Sequence, residues 1–184
     1  MNKVFVIIGP PASGKTSIAN RLASYGIPEM VSHTTRQPRE GEINGESYYF
    51  VSKEEFAKMD LIERVNYSGQ YYGLSKQEVL KKVKEQPLSI VVVERTGLEQ
   101  LKKLLGERLE SIYIMIDDTT IIDRMLNRGQ SNETIQRRLE YAQKNGEFNH
   151  WQLTDYVVKN TKTIDSAVRQ VMAIMGLSVP AVEQ

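Results

Sequence analysis

Cysteine is absent from the 184 residues, which excludes a disulfide framework, a cysteine-ligated zinc and a thiol nucleophile. Histidine is scarce: His33 and His150 are too few and too far apart for a histidine-based metal site. Charge of one sign is also lacking. With 24 Lys and Arg against 23 Asp and Glu, the net charge of +1 gives no basic excess for coating nucleic acid. Long apolar runs are missing too. The N-terminal run Val4–Ile8 is ended by Gly9 and two prolines, too short for a signal or spanning segment. These absences predict a protein of the cytoplasm with neither nucleic-acid nor membrane partners. A hydrophobic fraction of 40% is enough to fill a core, so the chain is expected to fold as one compact unit.

Four short β-branched runs, Val4–Ile8, Ile90–Val93, Ile112–Ile116 and Tyr156–Val158, read as strands buried on both faces. Helix-period segments lie around them at Lys15–Tyr25, Lys76–Glu85, Gly97–Leu105, Thr119–Asn127 and Ile164–Met175. This alternation predicts an α/β fold with a parallel sheet core between helical layers. Two stretches break the rhythm. Ser32–Gly73 is polar and carries the alternating piece Glu46–Ser52, so it reads as a small β-rich insertion with one helix near Glu54–Met59. Arg124–Arg138 reads as a helix, a break at Gly129 and a second helix capped by Ser131. The tail Ser178–Gln184 is expected to fray.

The sharpest motif is Gly9–Pro10–Pro11–Ala12–Ser13–Gly14–Lys15–Thr16, which matches G-x-x-x-x-G-K-[ST] at every fixed position. It follows a strand and opens a helix. Its backbone N–H groups, together with Ser17 in the first turn, are expected to cradle the phosphates of ATP. Lys15 is expected to reach the β- and γ-phosphates, and Thr16 to ligate Mg²⁺. Glu94, at the end of a parallel strand, fits a role on Mg²⁺ or its waters; a simple helix-entry charge fits it as well.

Arg36 and Arg39, linked through Pro38, can converge on a dianionic phosphate through planar guanidinium forks. Read alone, an exposed charged hairpin accounts for them equally. Arg124 and Arg128 are four apart and share a helix face, with Arg138 beyond the Gly129 break. Such a closing segment can neutralise a transferring phosphoryl group, although a solvated basic face explains each arginine alone. Lys81, Lys82 and Lys84 read as a solvated helix face, Met172 and Met175 as core, and Trp151 as a packing residue. His33 reads as a residue at the edge of the acceptor pocket.

The phosphate loop, then S-x-T-T-R-x-P-R-x-G-E-x-x-G-x-x-Y-x-F from Ser32, then Ile62–Glu63 and Tyr71–Tyr72–Gly73, resembles the guanylate kinase family from about Lys3 to Ala173. The resemblance implies a P-loop three-layer core over 1–31 and 76–184, with a helical lid within about 120–138. It implies a nucleoside-monophosphate-binding insertion over 32–75. It implies transfer of phosphate from ATP to GMP with Mg²⁺, and small nucleotides as partners. It also implies that Arg36, Arg39, Tyr48 and Tyr72 hold the acceptor phosphate, with Glu42 in the same pocket. Ser32 and Glu63 would then bond the guanine edge, Arg124, Arg128 and Arg138 would act from the lid, and Asn160 would lie near adenine. The intact Gly14–Lys15–Thr16 and the lid arginines separate this chain from a non-catalytic guanylate-kinase-like module. A kinase of the same architecture with another phosphorylated acceptor stays open. Three positions depart from the family pattern. Leu74 stands where a hydroxyl residue is usual, with Ser75 one step late, and Val92 and Glu94 replace a D-x-D pair. The lid is also one residue shorter than usual.

Overall fold

Alternation along the first apolar run dictates the architecture. Phe5 and Ile7 point to one side of a strand and Val4, Val6 and Ile8 to the other, and all five are buried, so both faces need a covering layer. The computed structural model of the chain describes residues 1–67 and 69–178. Residues 179–184, most of the expected frayed tail, and Ser68 lie outside the described residues.

The elements run β1 (Lys3–Ile8), α1 (Lys15–Ser24), β2 (His33–Thr34), β3 (Tyr49–Phe50), α2 (Lys53–Ala57), β4 (Leu61–Tyr67), β5 (Gln70–Ser75) and α3 (Lys76–Glu85). They continue with β6 (Leu88–Val92), α4 (Arg95–Leu105), β7 (Leu109–Met115), α5 (Asp118–Asn127), α6 (Asn132–Lys144), β8 (Tyr156–Lys159) and α7 (Ile164–Ile174). A parallel sheet has the order β6-β1-β7-β8. On one face, Phe5 and Ile7 pack with Ile18 and Leu22 of α1 and Val168 and Val171 of α7. On the other, Val4, Val6 and Ile8 pack with Val79 and Val83 of α3 and Leu98 and Leu101 of α4. The protein is thus an α/β three-layer fold, as its alternating pattern predicts.

A second sheet, ordered β3-β2-β5-β4, is built from the polar stretch before α3. Its helix is shorter than expected and begins one residue earlier. Ser52 and Glu55 form a reciprocal capping box that fixes the start of α2 at Lys53. Helices α5 and α6 have their own small core, where Ile121 and Met125 of α5 meet Ile135 of α6, with Ala12 of the loop between β1 and α1 packed against them. Ser131 caps α6 by accepting from the Thr134 N–H, as expected.

Three readings are corrected. The strand around Tyr156–Val158 is not buried on both faces: Tyr156 is 39% and Val157 41% exposed. It is the edge strand, and of the three only Val158 joins the α1–α7 core. Trp151 is not a packing residue; it lies 41% exposed on a 3-10 segment, Glu147–Leu153. His33 does not border the acceptor cluster. It stacks on Tyr49 at 4.7 Å and lines a small cavity with Glu78 and Lys81 of α3.

The departures from the family pattern have structural uses. Leu74 is buried in the α3–α4 core, where an alkyl side chain packs better than a hydroxyl. The Ser75 hydroxyl accepts from the Glu78 N–H and caps α3. Met172 and Met175 are core residues, as expected. Among the described residues no helix is long and apolar enough to cross a membrane.

Leu101 is fully buried between α4 and the sheet. Leu101→Ala is expected to lower the unfolding free energy by about 2–5 kcal/mol. Urea denaturation checks this, with a reduced midpoint at an unchanged m-value.

Candidate active site

The loop between β1 and α1 is held from outside by its carbonyl groups. The Lys15 ammonium donates to the carbonyls of Gly9 at 2.6 Å and Pro10 at 2.9 Å. The Arg124 guanidinium donates to Ala12 at 3.2 Å, Ser13 at 3.3 Å and the Asn160 carbonyl at 2.9 Å. The Asn160 side-chain amide donates to Ser13 at 2.7 Å. Pro10 and Pro11 carry no N–H and the Ser13 N–H donates to the Pro10 carbonyl at 3.3 Å, so the donors left for an anion lie from Gly14 onward. The first N–H groups of α1 have no intrahelical acceptor, so they form a ready anion cradle. Ala12 has φ +59°, the left-handed region that side chains avoid. Gly14 has φ +94°, and a Cβ there would stand 2.4 Å from the Asn160 Nδ2, so no other residue fits beneath this clamp.

Burial pushes the Lys15 ammonium below the usual lysine range, while Glu94 and Glu147 oppose that shift. Burial and the nearby Glu94 charge raise the Glu147 carboxyl, and Lys15 lowers it. Sequence reading missed Glu147. It follows Gly146 at the start of the 3-10 segment and is placed by the Tyr113 hydroxyl, which donates to its carbonyl at 2.9 Å. No local motif marks it.

A second cluster lies on the small sheet. Arg36 grips both oxygens of Glu42 at 2.8 and 2.9 Å, and the Arg39 backbone N–H donates to the same carboxylate at 2.7 Å. These bonds hold the Glu42 carboxyl down at about 2, the Arg36 contribution being the largest. The Arg36 guanidinium lies over the rings of Tyr48 and Phe50 at 5.6 and 5.9 Å, and Tyr48 meets Tyr72 edge-on. The structure therefore brings Arg36, Glu42, Tyr48 and Tyr72 together. The spacing of the arginines hinted at this cluster, but the part played by Phe50 has no sequence signature.

Glu63 joins the two sheets. It accepts from the Glu94 backbone N–H at 2.7 Å, at the N-cap of α4. Burial pushes its carboxyl up to about 7, against the downward pull of the Glu94 and Gly97 backbone N–H groups. Arg138, on α6, donates to the Tyr67 hydroxyl at the tip of the β4–β5 hairpin at 2.9 Å. Thr16, Ser17, Arg39 and Arg128 have exposed side chains with no hydrogen bond to other described residues. Ser32 contributes a backbone bond, its carbonyl accepting from the Tyr49 N–H.

Comparison with known proteins follows from this geometry. The family model described as guanylate kinase matches residues 1–177. The guanylate kinase of Shewanella violacea is 31% identical over 180 residues, covering 94% of this chain and 86% of that protein. The guanylate kinase of a Nostoc species is 35% identical over 150 residues, covering 77% of this chain and 75% of that protein. The crystal structure of guanylate kinase from Anaplasma phagocytophilum superposes with a TM-score of 0.67 at 25% identity, covering 98% of this chain and 88% of that one. A phosphate loop clamped by its carbonyls, an arginine–carboxylate cluster on a separate small sheet and matches along nearly the whole chain agree: this protein belongs to the guanylate kinase family.

Proposed function

We propose that the chain transfers the γ-phosphoryl group of ATP to GMP, giving ADP and GDP. The observation that carries this reading is the pairing of two anion-receptive sites joined by the Glu63–Glu94 contact. One is the start of α1, with the free N–H groups of its first turn and Lys15. The other is the Arg36, Glu42, Tyr48 and Tyr72 cluster, suited to a dianionic phosphate. In this reading residues 32–75 work as the acceptor-binding unit, residues 1–31 and 76–184 as the core, and about 120–138 as the lid.

The polyphosphate of ATP lies along Gly9–Ser17, and Lys15 exchanges its carbonyl partners for phosphate oxygens. Asn160 supports the loop through Nδ2, and its buried Oδ1, which lacks a partner, is available to the adenine amino group. Arg36 and Arg39, with the hydroxyls of Tyr48 and Tyr72, hold the GMP phosphate, and Glu42 keeps Arg36 oriented. Ser32 and Glu63 take the guanine edge. An oxygen of the GMP phosphate forms a bond to Pγ as the bond from Pγ to the ADP oxygen breaks. No covalent enzyme intermediate is required. Arg128 and Arg138 come in with the lid to neutralise charge that spreads over the equatorial oxygens, while Arg124 serves by organising the loop.

The donor set fits Mg²⁺. The Thr16 hydroxyl is exposed beside the loop, and Glu94 is a carboxylate whose charge Lys15 feels. Among the described residues no three His, Asp or Glu side chains form a cage, which suits an ion that takes most of its ligands from phosphate and water. Held by Thr16 and Glu94, Mg²⁺ would neutralise charge between the β- and γ-phosphates. Free ATP and GMP as substrates make the cytoplasm the compartment of action.

A coupled ADP-release assay with GMP, dGMP, AMP, IMP and a phosphorylated sugar tests the assignment. GMP is expected to give the highest kcat/KM. Lys15→Ala is expected to lower kcat by on the order of 10²–10³ while the protein stays folded. Inert GMP alongside turnover of another acceptor would overturn the reading.

A pH dependence follows from Glu63. Only its ionised form accepts two N–H bonds from guanine, and its carboxyl titrates at about 7. The kcat/KM advantage of the wild type over Glu63→Gln with GMP should therefore grow as pH rises from about 6 to about 8. Comparison with the variant cancels titration of GMP itself. A constant ratio would contradict the role given to the carboxylate.

A further inference from the structure

Glu63 is the carboxylate that the proposed function sets against the base, yet nothing on its own sheet holds it. Its restraints come from the neighbouring element. Oε1 accepts from the Glu94 N–H at 2.7 Å. The donor is the N-cap of α4, where the helix dipole favours negative charge. Among the described residues no Lys or Arg pairs with it.

Two further features converge on this side chain. The first is a register shift in the β4–β5 ladder: Leu61 faces Ser75 but Glu63 faces Leu74, which makes Ile62 an extra residue. A bulge of this kind re-aims the side chain that follows it. The second is the missing side chain at residue 97. A Cβ there would stand 2.9 Å from Oε1 and 3.1 Å from the carboxyl carbon of Glu63. A carboxylate docked on the first turn of α4 therefore requires glycine at this position.

Direction matters to what the carboxylate can read. An ionised carboxylate offers about four lone-pair directions, and the Glu94 bond on Oε1 leaves at least one on each oxygen for a ligand. Two adjacent N–H groups can fill them. Guanine presents such a pair in its N1–H and 2-amino groups. Hypoxanthine presents one, and adenine places an acceptor there. A carboxylate free to swivel would meet these edges with little difference, whereas a fixed one leaves an unpaired group against the wrong base.

We propose that Gly97, with the first turn of α4, is a specificity-determining element: it positions Glu63 so that the enzyme prefers a purine with two adjacent N–H donors. Gly97 acts through Glu63 and is a positioning residue. This inference rests on the assignment of the protein as a GMP kinase.

The test is the ratio of kcat/KM for GMP to that for IMP. Gly97→Ala is expected to lower this ratio by about ten-fold, toward the value of Glu63→Ala, with the KM for ATP unchanged. An alanine Cβ would also stand 2.8 Å from the Val93 Cβ, so a packing defect has to be separated from the loss of positioning. Val93→Ala alone loosens the same packing and leaves Gly97 and Glu63 in place, so it should lower the melting temperature and keep the wild-type ratio. In a Glu63→Ala background, Gly97→Ala should change the ratio no further. A wild-type ratio in Gly97→Ala, a ratio lowered as far in Val93→Ala, or independent effects that multiply in the Glu63→Ala background, would overturn the proposal. Failure of the underlying assignment looks different: the wild type itself would then show no preference for GMP.

Discussion

The fold of the site depends on where the carbonyl groups of residues 9–13 point. Four of them, at Gly9, Pro10, Ala12 and Ser13, accept from side chains brought by α1, α5 and the end of β8. The Gly9 and Pro10 units end on proline nitrogens, which carry no N–H, and the Ser13 N–H donates to the Pro10 carbonyl, so these bonds fix the shape of the loop; the Ser13 unit, with its carbonyl committed outward, carries the Gly14 N–H on the other side, next to the free N–H groups that open α1. The left-handed conformation at Ala12 is tolerable because Arg124 over-determines it with bonds to Ala12, Ser13 and Asn160. The parallel sheet serves this arrangement by placing β1, β7 and β8 side by side, so that the loop after β1 meets Asn160 just beyond β8.

Contacts of modest strength join the other parts to this centre. Glu63 reaches from the small sheet to α4, and Arg138 reaches from α6 to Tyr67 on the same small sheet. The Ala12 side chain packs against the α5–α6 core. The small sheet is also anchored by packing, because Leu74 of β5 is buried in the α3–α4 core with Ile62 against it.

What the sequence disclosed divides along physical lines. Gly9–Thr16 was legible because a phosphate loop needs fixed residue types at fixed spacing, and Val4–Ile8 because a strand covered on both faces cannot be polar. Arg36 was suggested by its spacing from Arg39 but stayed ambiguous, since an arginine-rich hairpin looks the same whether solvated or stacked on tyrosine; Glu42, Tyr48 and Tyr72 were legible only through the family resemblance. The position of β8 was misread because a short apolar run does not say whether a neighbour strand or solvent lies beside it, and Tyr156 and Val157 face solvent. Glu147 and Gly97 escaped notice for another reason. Their importance comes from what lies across space, Lys15 for one and Glu63 for the other, and neither partner is near in sequence. The bonds of Arg124 to the carbonyl side of the loop had no signature in the sequence, where it reads only as one arginine of a basic helix face.

The central claim is that a carbonyl clamp prepares the phosphate loop, and Arg124 makes two of its bonds and ties them to the Asn160 carbonyl. Calorimetric titration of ATP and, separately, of GMP into the folded wild type and Arg124→Ala measures this directly. Loss of charge-assisted bonds that shape the loop predicts an ATP affinity weaker by about ten-fold or more, with GMP affinity unchanged. Undiminished ATP affinity in Arg124→Ala would contradict the clamp and return Arg124 to the transition state alone.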